Sequence, residues 1–360
     1  MNRMTIYITA GLLLVGLVAY FFLKSKQKSS TADYFISTQS QSNERVKNLN
    51  LDTPSEDASY ILDTTKLSFP AIKRQNAEYK ANPDKDWVID LLPVNGESFK
   101  KQELSKMFDY DWRSKFQSTI YGFSSEENGW TFADAGDSPD IYTKVQVAID
   151  VQDIFNDENP NYDQNKLERY IVELEKRIKK YPIKLRLEHK ESIESAIQKA
   201  KGLVNIYQEF NRDALIVLQS DKRFNGMEMW DALQSVGLKW GDGDLFHWRN
   251  DKDYGHDQHF SVWTTTEPGY FLPEEVKDGN MNPNNLVFGF SIPRSADPEN
   301  VHEIMIIAIK YCQKRLGGQI LDRDMQPLNV EMEREEIKEL LREMENKGIK
   351  AGSEKALRMF

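Results

Sequence analysis

Three histidines, His247, His256 and His259, fall within a short stretch that also carries Asp251, Asp253 and Asp257. Imidazoles and carboxylates of this kind bind a transition metal when three or four converge on one point, but these spacings match no loop or helix pattern used by zinc sites. They read as a solvated hairpin loop. The run Gly241-Asp242-Gly243-Asp244 has the acidic start of a calcium loop without the bidentate Glu that closes one at its twelfth position, so ordinary turn chemistry accounts for it. The single cysteine, Cys312, lies in an apolar helical stretch, where Cys acts as a small buried hydrophobe, and it has no His at a spacing used by cysteine nucleophiles. No G-x-S-x-G, Walker A or G-x-G-x-x-G string is present. The expectation is therefore of a protein that is not an enzyme, with no metal and no cofactor. The 7 Trp and 15 Tyr could dress a ligand groove, but aromatics on strands read first as core.

A chain of 360 residues is long enough for about two domains. Its 47 Lys and Arg against 57 Asp and Glu leave a net charge of −10. That balance disfavours a surface built to neutralise phosphates, so no nucleic-acid partner is expected. One cysteine forms no intramolecular disulfide, so the bulk of the chain needs no oxidising compartment.

From Thr5 to Leu23 the chain runs without a charge, and at about 1.5 Å per residue this length just crosses a hydrocarbon core of about 30 Å. A cleaved signal peptide has a shorter apolar region and a small-residue cleavage site, whereas Leu23 leads straight into Lys24, Lys26 and Lys28. The segment therefore reads as a transmembrane anchor. The lysines place residues 1–4 outside and everything after the span in the cytoplasm.

Residues 24–85 are polar, with isolated apolar patches at Tyr60-Ile61-Leu62 and Leu67-Ser68-Phe69. Such a segment reads as a flexible linker, with an r.m.s. reach of roughly 40–45 Å if it behaves as a coil of about 60 residues. Beyond it, one order of elements recurs. In 86–212 a strand (87–94), a short helix (98–108), strands at 118–123, 130–134 and 142–151, a long helix, a strand (183–188) and a closing helix follow one another. The long helix carries Leu167, Tyr170, Ile171, Leu174, Ile178 and Tyr181 on one stripe. In 213–348 come strand 214–220, a helix at 227–236, strands 244–248, 259–264 and 286–293, and a helix opened by Asp297-Pro298, a good N-cap followed by a good first residue. Strand 318–322 and helix 331–348 close this copy, and 349–360 is a tail. Both copies read as two-layer α+β modules of the split β-α-β kind in tandem, with antiparallel sheets and helices on one face.

In the second copy the strings Gly-Asp-x-x-ϕ-Phe-His (within 241–247), Pro-Gly-x-Phe-x-Pro (268–273) and Leu-Gly-Gly-x-ϕ-Leu-Asp (316–322), with ϕ aliphatic, occur in order with fitting intervals. Over about 214–345 the chain resembles the C-terminal domain of the ZipA family, membrane-tethered bacterial division proteins that hold FtsZ filaments at the inner membrane. The resemblance implies helices on one face of the sheet and, on the other, an exposed apolar groove that takes the C-terminal tail of FtsZ. Leu215 and Val217 keep the family's aliphatic character, extended by Val287 on the neighbouring strand. Gly243 and Thr265 stand where the family has methionines, Glu267 where it has a lysine, and Gly289 where it has a phenylalanine. With Val217 facing outward, Val217→Asp is expected to abolish recruitment to the division site without unfolding the domain.

The function implied is that of a non-enzymatic, membrane-anchored adaptor of the division ring, localised at the bacterial inner membrane and the division septum. An envelope scaffold that uses the same fold on a different partner is the alternative.

Overall fold

The computed structural model describes residues 32–70, 80–133, 135–136, 138–151 and 164–360. The anchor expected over 5–23 and the start of the linker lie outside the described residues, among which no helix is long and apolar enough to cross a membrane. The chain divides into two compact units. One comprises the described residues of 80–211 with 358–360, the other those up to 70 with 212–357. Both are mixed α and β, with antiparallel sheets.

The first unit is built on strands β1 (Asp86–Pro93), β2 (Phe99–Lys100), β3 (Thr119–Ser124), β4 (Gly129–Phe132), β5 (Ile141–Tyr142), β6 (Lys144–Asp150) and β7 (Leu185–His189). Five of them form a sheet in the order β4-β3-β6-β1-β7, while β2 and β5 pair separately. Strand alternation sends Trp87, Ile89 and Leu91 of β1 to one face together with Val145, Val147 and Ile149 of β6. The helices Gln164–Ile178 and Ile193–Phe210 bury Leu167, Tyr170, Leu174, Ala196 and Ala200 in that same cluster. The expected stripe is the one the helix buries.

The second unit carries β8 (Asp213–Gln219), β9 (Lys239–Trp240), β10 (Phe246–Arg249), β11 (Gln258–Trp263), β12 (Asn285–Ser291) and β13 (Gln319–Leu321). They form one antiparallel sheet in the order β13-β8-β12-β11-β10-β9. Ile216, Leu218, Phe246, Phe260, Val262, Leu286 and Phe288 are buried on one side. The helices Gly226–Ser235 and Pro298–Leu316 bury Met229, Trp230, Leu233, Val301, Met305, Ala308 and Cys312. Trp230 meets Phe246 edge-on with ring centroids 4.7 Å apart, a favoured aromatic geometry. The two sheets share the order of three strands, β7-β1-β6 and β13-β8-β12, and differ beyond it: β6 is followed by β3 then β4, but β12 by the backward meander β11, β10, β9.

Three sequence expectations change. The described part of 24–85 is not bare linker. Val46, Leu51, Ala58, Ile61 and Leu67 are buried, and residues 45–69 run along the helix layer of the second unit as a strap. The Trp230 indole donates to the Leu51 carbonyl at 3.0 Å, the Ala58 amide to the Ser235 carbonyl at 2.8 Å, and the Arg45 guanidinium to both Glu274 carboxylate oxygens at 2.6 and 2.5 Å. The apolar patches that look isolated along the sequence are the strap's anchors. Asp297 makes no side-chain cap, because its carboxylate accepts from the Ser68 amide and from Asn300, both at 2.7 Å. Pro298 holds the first helical turn, as expected. The stretch 349–360 is folded rather than a loose tail: Ile349 and Ala356 are fully buried, and the Tyr254 hydroxyl donates to the Ala351 carbonyl at 2.7 Å.

Candidate recognition face

The face of the second sheet away from the helices is laid out in rows by the strand register. One row reads Leu321, Val217, Val287, Trp263 across β13, β8, β12 and β11. The next reads Leu215, Gly289, Ser261, His247 across β8, β12, β11 and β10. Four of the expected groove residues, Leu215, Val217, Val287 and Gly289, thus stand side by side. Val217, Val287 and Leu321 form one small apolar cluster, with Leu215, Trp263 and Met325 packed against it.

The cluster is covered. Val217 is 3% exposed and Val287 fully buried, so Val217 is not the open outward position that alternation alone suggests. A carboxylate placed there would be desolvated within an apolar cluster. Met325 reaches the cluster from the turn after β13, where its backbone sits at φ +61°, a region few side chains other than Asn or Asp adopt. The Asp322 carboxylate braces that turn, accepting from the Asp324 and Gln326 amides at 2.9 and 2.8 Å.

The remaining expected residues lie at the margins. Thr265 follows Trp263 by two positions at the end of the sheet, where it is exposed. It is tied to Asn285, its amide donating to Asn285 Oδ1 at 2.8 Å and its hydroxyl accepting from Asn285 Nδ2 at 2.6 Å. Glu267 is exposed in the loop that follows. Gly243 sits at φ +66° in the short helical turn Asp242–Asp244 between β9 and β10. His247 fixes that turn to the face, its Nε2 donating to the Asp242 carbonyl at 2.7 Å while Nδ1 lies 2.8 Å from Ser261 Oγ.

His247 and His259 are buried and His256 half-buried rather than solvated, which corrects the reading of a hydrated hairpin. Burial lowers His247 below the ordinary imidazole range and pushes His256 and His259 down to about 4, so all three are neutral. His259 packs its ring 4.4 Å from that of Trp248. No three His, Cys, Asp or Glu among the described residues group so as to hold a metal. Burial also pushes the Cys312 thiol up to about 12, far from the thiolate that nucleophilic or redox chemistry requires.

Sequence reasoning missed Trp263, Leu321, Met325 and His247 as members of this face. The signal was available for Trp263, since it shares strand parity with Ser261 and Thr265, but an aromatic on a strand reads first as core.

An antiparallel sheet with helices on one side and an apolar row on the other has the form of a split β-α-β module. Comparison with known proteins narrows that class. Residues 214–340 match the family described as ZipA, C-terminal FtsZ-binding domain. A cell division protein ZipA of Marinobacter nauticus is 26% identical over 130 residues, 35% of this chain and 38% of that protein. The corresponding protein of Vibrio cholerae is 26% identical over 138 residues, 37% of this chain and 47% of its own length. That of Shewanella loihica is 28% identical over 107 residues, 30% and 31%. The second unit thus resembles the ZipA C-terminal domain, and the match spans less than half the length of each of these relatives.

Proposed function

We propose that this chain is a membrane-anchored adaptor of the bacterial division ring, not an enzyme, which binds the C-terminal tail of FtsZ on the helix-free face of residues 213–348 and holds FtsZ filaments at the inner membrane. The observation that carries this reading is the match of 214–340 to a domain described as FtsZ-binding in the same unit whose helix-free face aligns Leu215 and Gly289 beside the buried Val217 and Val287. Apolar burial supplies the main driving term, at about 25 cal/mol per Å², and docking of a short segment on an apolar groove is a recurring mode of peptide capture. Gly243, Thr265 and Glu267 form the margins of that face. The uncharged run 5–23, followed by Lys24, Lys26 and Lys28, is the anchor in this reading, with the short N-terminus outside and the bulk of the chain cytoplasmic. The first unit is then a further sheet module, inserted in the chain between the strap and the rest of the second unit.

One observation favours an envelope scaffold with another partner: Gly289 stands where the family has a phenylalanine, so the face has its own relief. Titrating the cognate FtsZ tail peptide into the full chain in detergent micelles decides between the two. Binding in the micromolar range supports the adaptor, and none at millimolar peptide supports the scaffold.

A further inference from the structure

Gly289 lies in the middle of β12, opposite Leu215 on one side and Ser261 on the other. A Cβ built there would stand 2.5 Å from Leu215 Cδ2 and 2.7 and 3.1 Å from Cη2 and Cζ3 of the Trp263 indole. The space a side chain at 289 would fill is already occupied. Trp263 opposes Val287, not Gly289, so its ring reaches diagonally across to the neighbouring position, a distance aromatic side chains span. Glycine makes this possible, since it lets a ring lie directly on the strand backbone.

The indole is only half-buried, whereas Val287 beneath the same layer has no exposed surface and Val217 almost none. A partner arriving at this face therefore meets the indole, Leu215 and Met325, and nowhere reaches the strand valines. Over Gly289 the space is filled by Leu215 and the indole, so a partner's side chain does not insert there.

We infer that Trp263, seated on Gly289, is the specificity-determining residue of this face, selecting a tail that lies extended and flat across the indole over one that drives a single bulky anchor into a pocket. This rests on the tail-binding reading above. An indole plane suits such a role because it offers a large, rigid contact area.

The test uses the full chain in detergent micelles and a labelled FtsZ C-terminal tail peptide, read by fluorescence anisotropy, with the thermal unfolding midpoint of each variant recorded alongside. Trp263→Ala, which removes the plane, is expected to weaken binding at least tenfold, and Trp263→Phe, which keeps a ring, to stay within about threefold of the parent. Unchanged affinity in a folded Trp263→Ala variant, or equal losses in both variants, would overturn the inference. A second measurement needs no variant of the protein: alanine substitution along the peptide, against the unaltered chain, should spread the loss over several positions, none above about fivefold. One peptide position carrying fiftyfold or more would show pocket insertion and overturn the inference while leaving the tail-binding reading intact. No binding of the parent peptide to the unaltered chain at millimolar concentration removes that reading, and the inference falls with it.

Discussion

Arg315 donates from Nη2 to Asp231 Oδ2 at 2.5 Å, joining the helices Pro298–Leu316 and Gly226–Ser235 of the second unit. The same carboxylate accepts from the amide and hydroxyl of Ser55 at 2.6 and 2.5 Å. Burial works against the charged form of Asp231, yet the bonds from Ser55 and Arg315 hold its carboxyl below the usual range. A residue in what reads as linker therefore completes the hydrogen bonding of a helix–helix ion pair. The strap is part of the domain it crosses.

That relationship makes the strap measurable as stability. Leu51 is 4% exposed and its carbonyl is the partner of the buried Trp230 indole. Leu51→Ala should lower the unfolding free energy of the second unit by about 2–3 kcal/mol, the usual cost of a large-to-small change in a core. Chemical denaturation followed by tryptophan fluorescence reads this out, and a change below about 0.5 kcal/mol would mean that the strap is only loosely laid on the helices.

Acid stability is set by groups of opposite sign. His256 and His259 are held near 4 by burial, against about 6.5 when unfolded. The unfolded chain therefore takes up protons first, and the stability these two contribute is complete above pH 6.5 and lost as the pH falls toward 4. Asp213 does the reverse. Burial pushes it up to about 6 despite the nearby Arg294, and its Oδ1 has no hydrogen-bond partner among the described residues. The folded state binds that proton first, so stability is gained as the pH falls from about 6 toward 4. Asp213→Asn should raise stability at pH 7 and steepen the loss between pH 6.5 and 4. Denaturation midpoints at several pH values check this, and an unchanged slope would remove Asp213 from the account.

Much of the sheet architecture was legible in the sequence because strand alternation and helix stripes are local. Every long strand of the second unit lies within a few residues of its expected place, and Leu167, Tyr170 and Leu174 are buried as their spacing requires. What was not legible depends on partners remote in the chain. Ser55 and Asp231 are 176 positions apart, and a polar strap with five apolar anchors has no period to detect. The face of Trp263 was readable from its parity with Ser261. Its direction across Gly289 was not, because a diagonal contact belongs to two strands at once. The histidines read as solvated because polar neighbours in sequence say nothing about Trp248 or Phe69, the rings beside His259 in space.

Val217→Asp no longer serves as a clean probe of the recognition face. With Val217 buried against Val287 and Leu321, the carboxylate should cost about 3 kcal/mol or more and lower the unfolding midpoint by several degrees. Leu215, half-exposed at the rim, is the better site. Leu215→Glu should leave the midpoint within a few degrees while weakening tail binding at least tenfold. Differential scanning calorimetry separates the two, and a Val217→Asp variant as stable as the parent would show that the cluster opens readily.

Membrane topology is checked through the lysines that follow the uncharged run. A fusion of residues 1–30 to a reporter active only in the cytoplasm should sediment with membranes and remain active. Activity of a periplasmic reporter at the same junction would place the second unit on the wrong side of the membrane for FtsZ.

The seating of Trp263 on Gly289 predicts a coupling that neither residue shows alone. Gly289→Ala puts a Cβ within 2.5–2.7 Å of Leu215 and the indole, so one of them must move, at a cost of about 1–3 kcal/mol as in other overpacked sites. Trp263→Ala removes the ring and leaves the backbone at 289 uncovered, destabilising by a comparable amount for a half-buried aromatic. In the double variant the new methyl enters space the indole has vacated, leaving only the contact with the flexible end of Leu215. The two costs should therefore not add: the double variant is expected to be more stable than their sum by about 1 kcal/mol or more, within the range found for residues in direct contact. Urea denaturation of the four proteins closes the cycle. Additivity to within about 0.3 kcal/mol would mean that the ring does not rest on Gly289 in solution, and that Trp263 is free to swing away from the face.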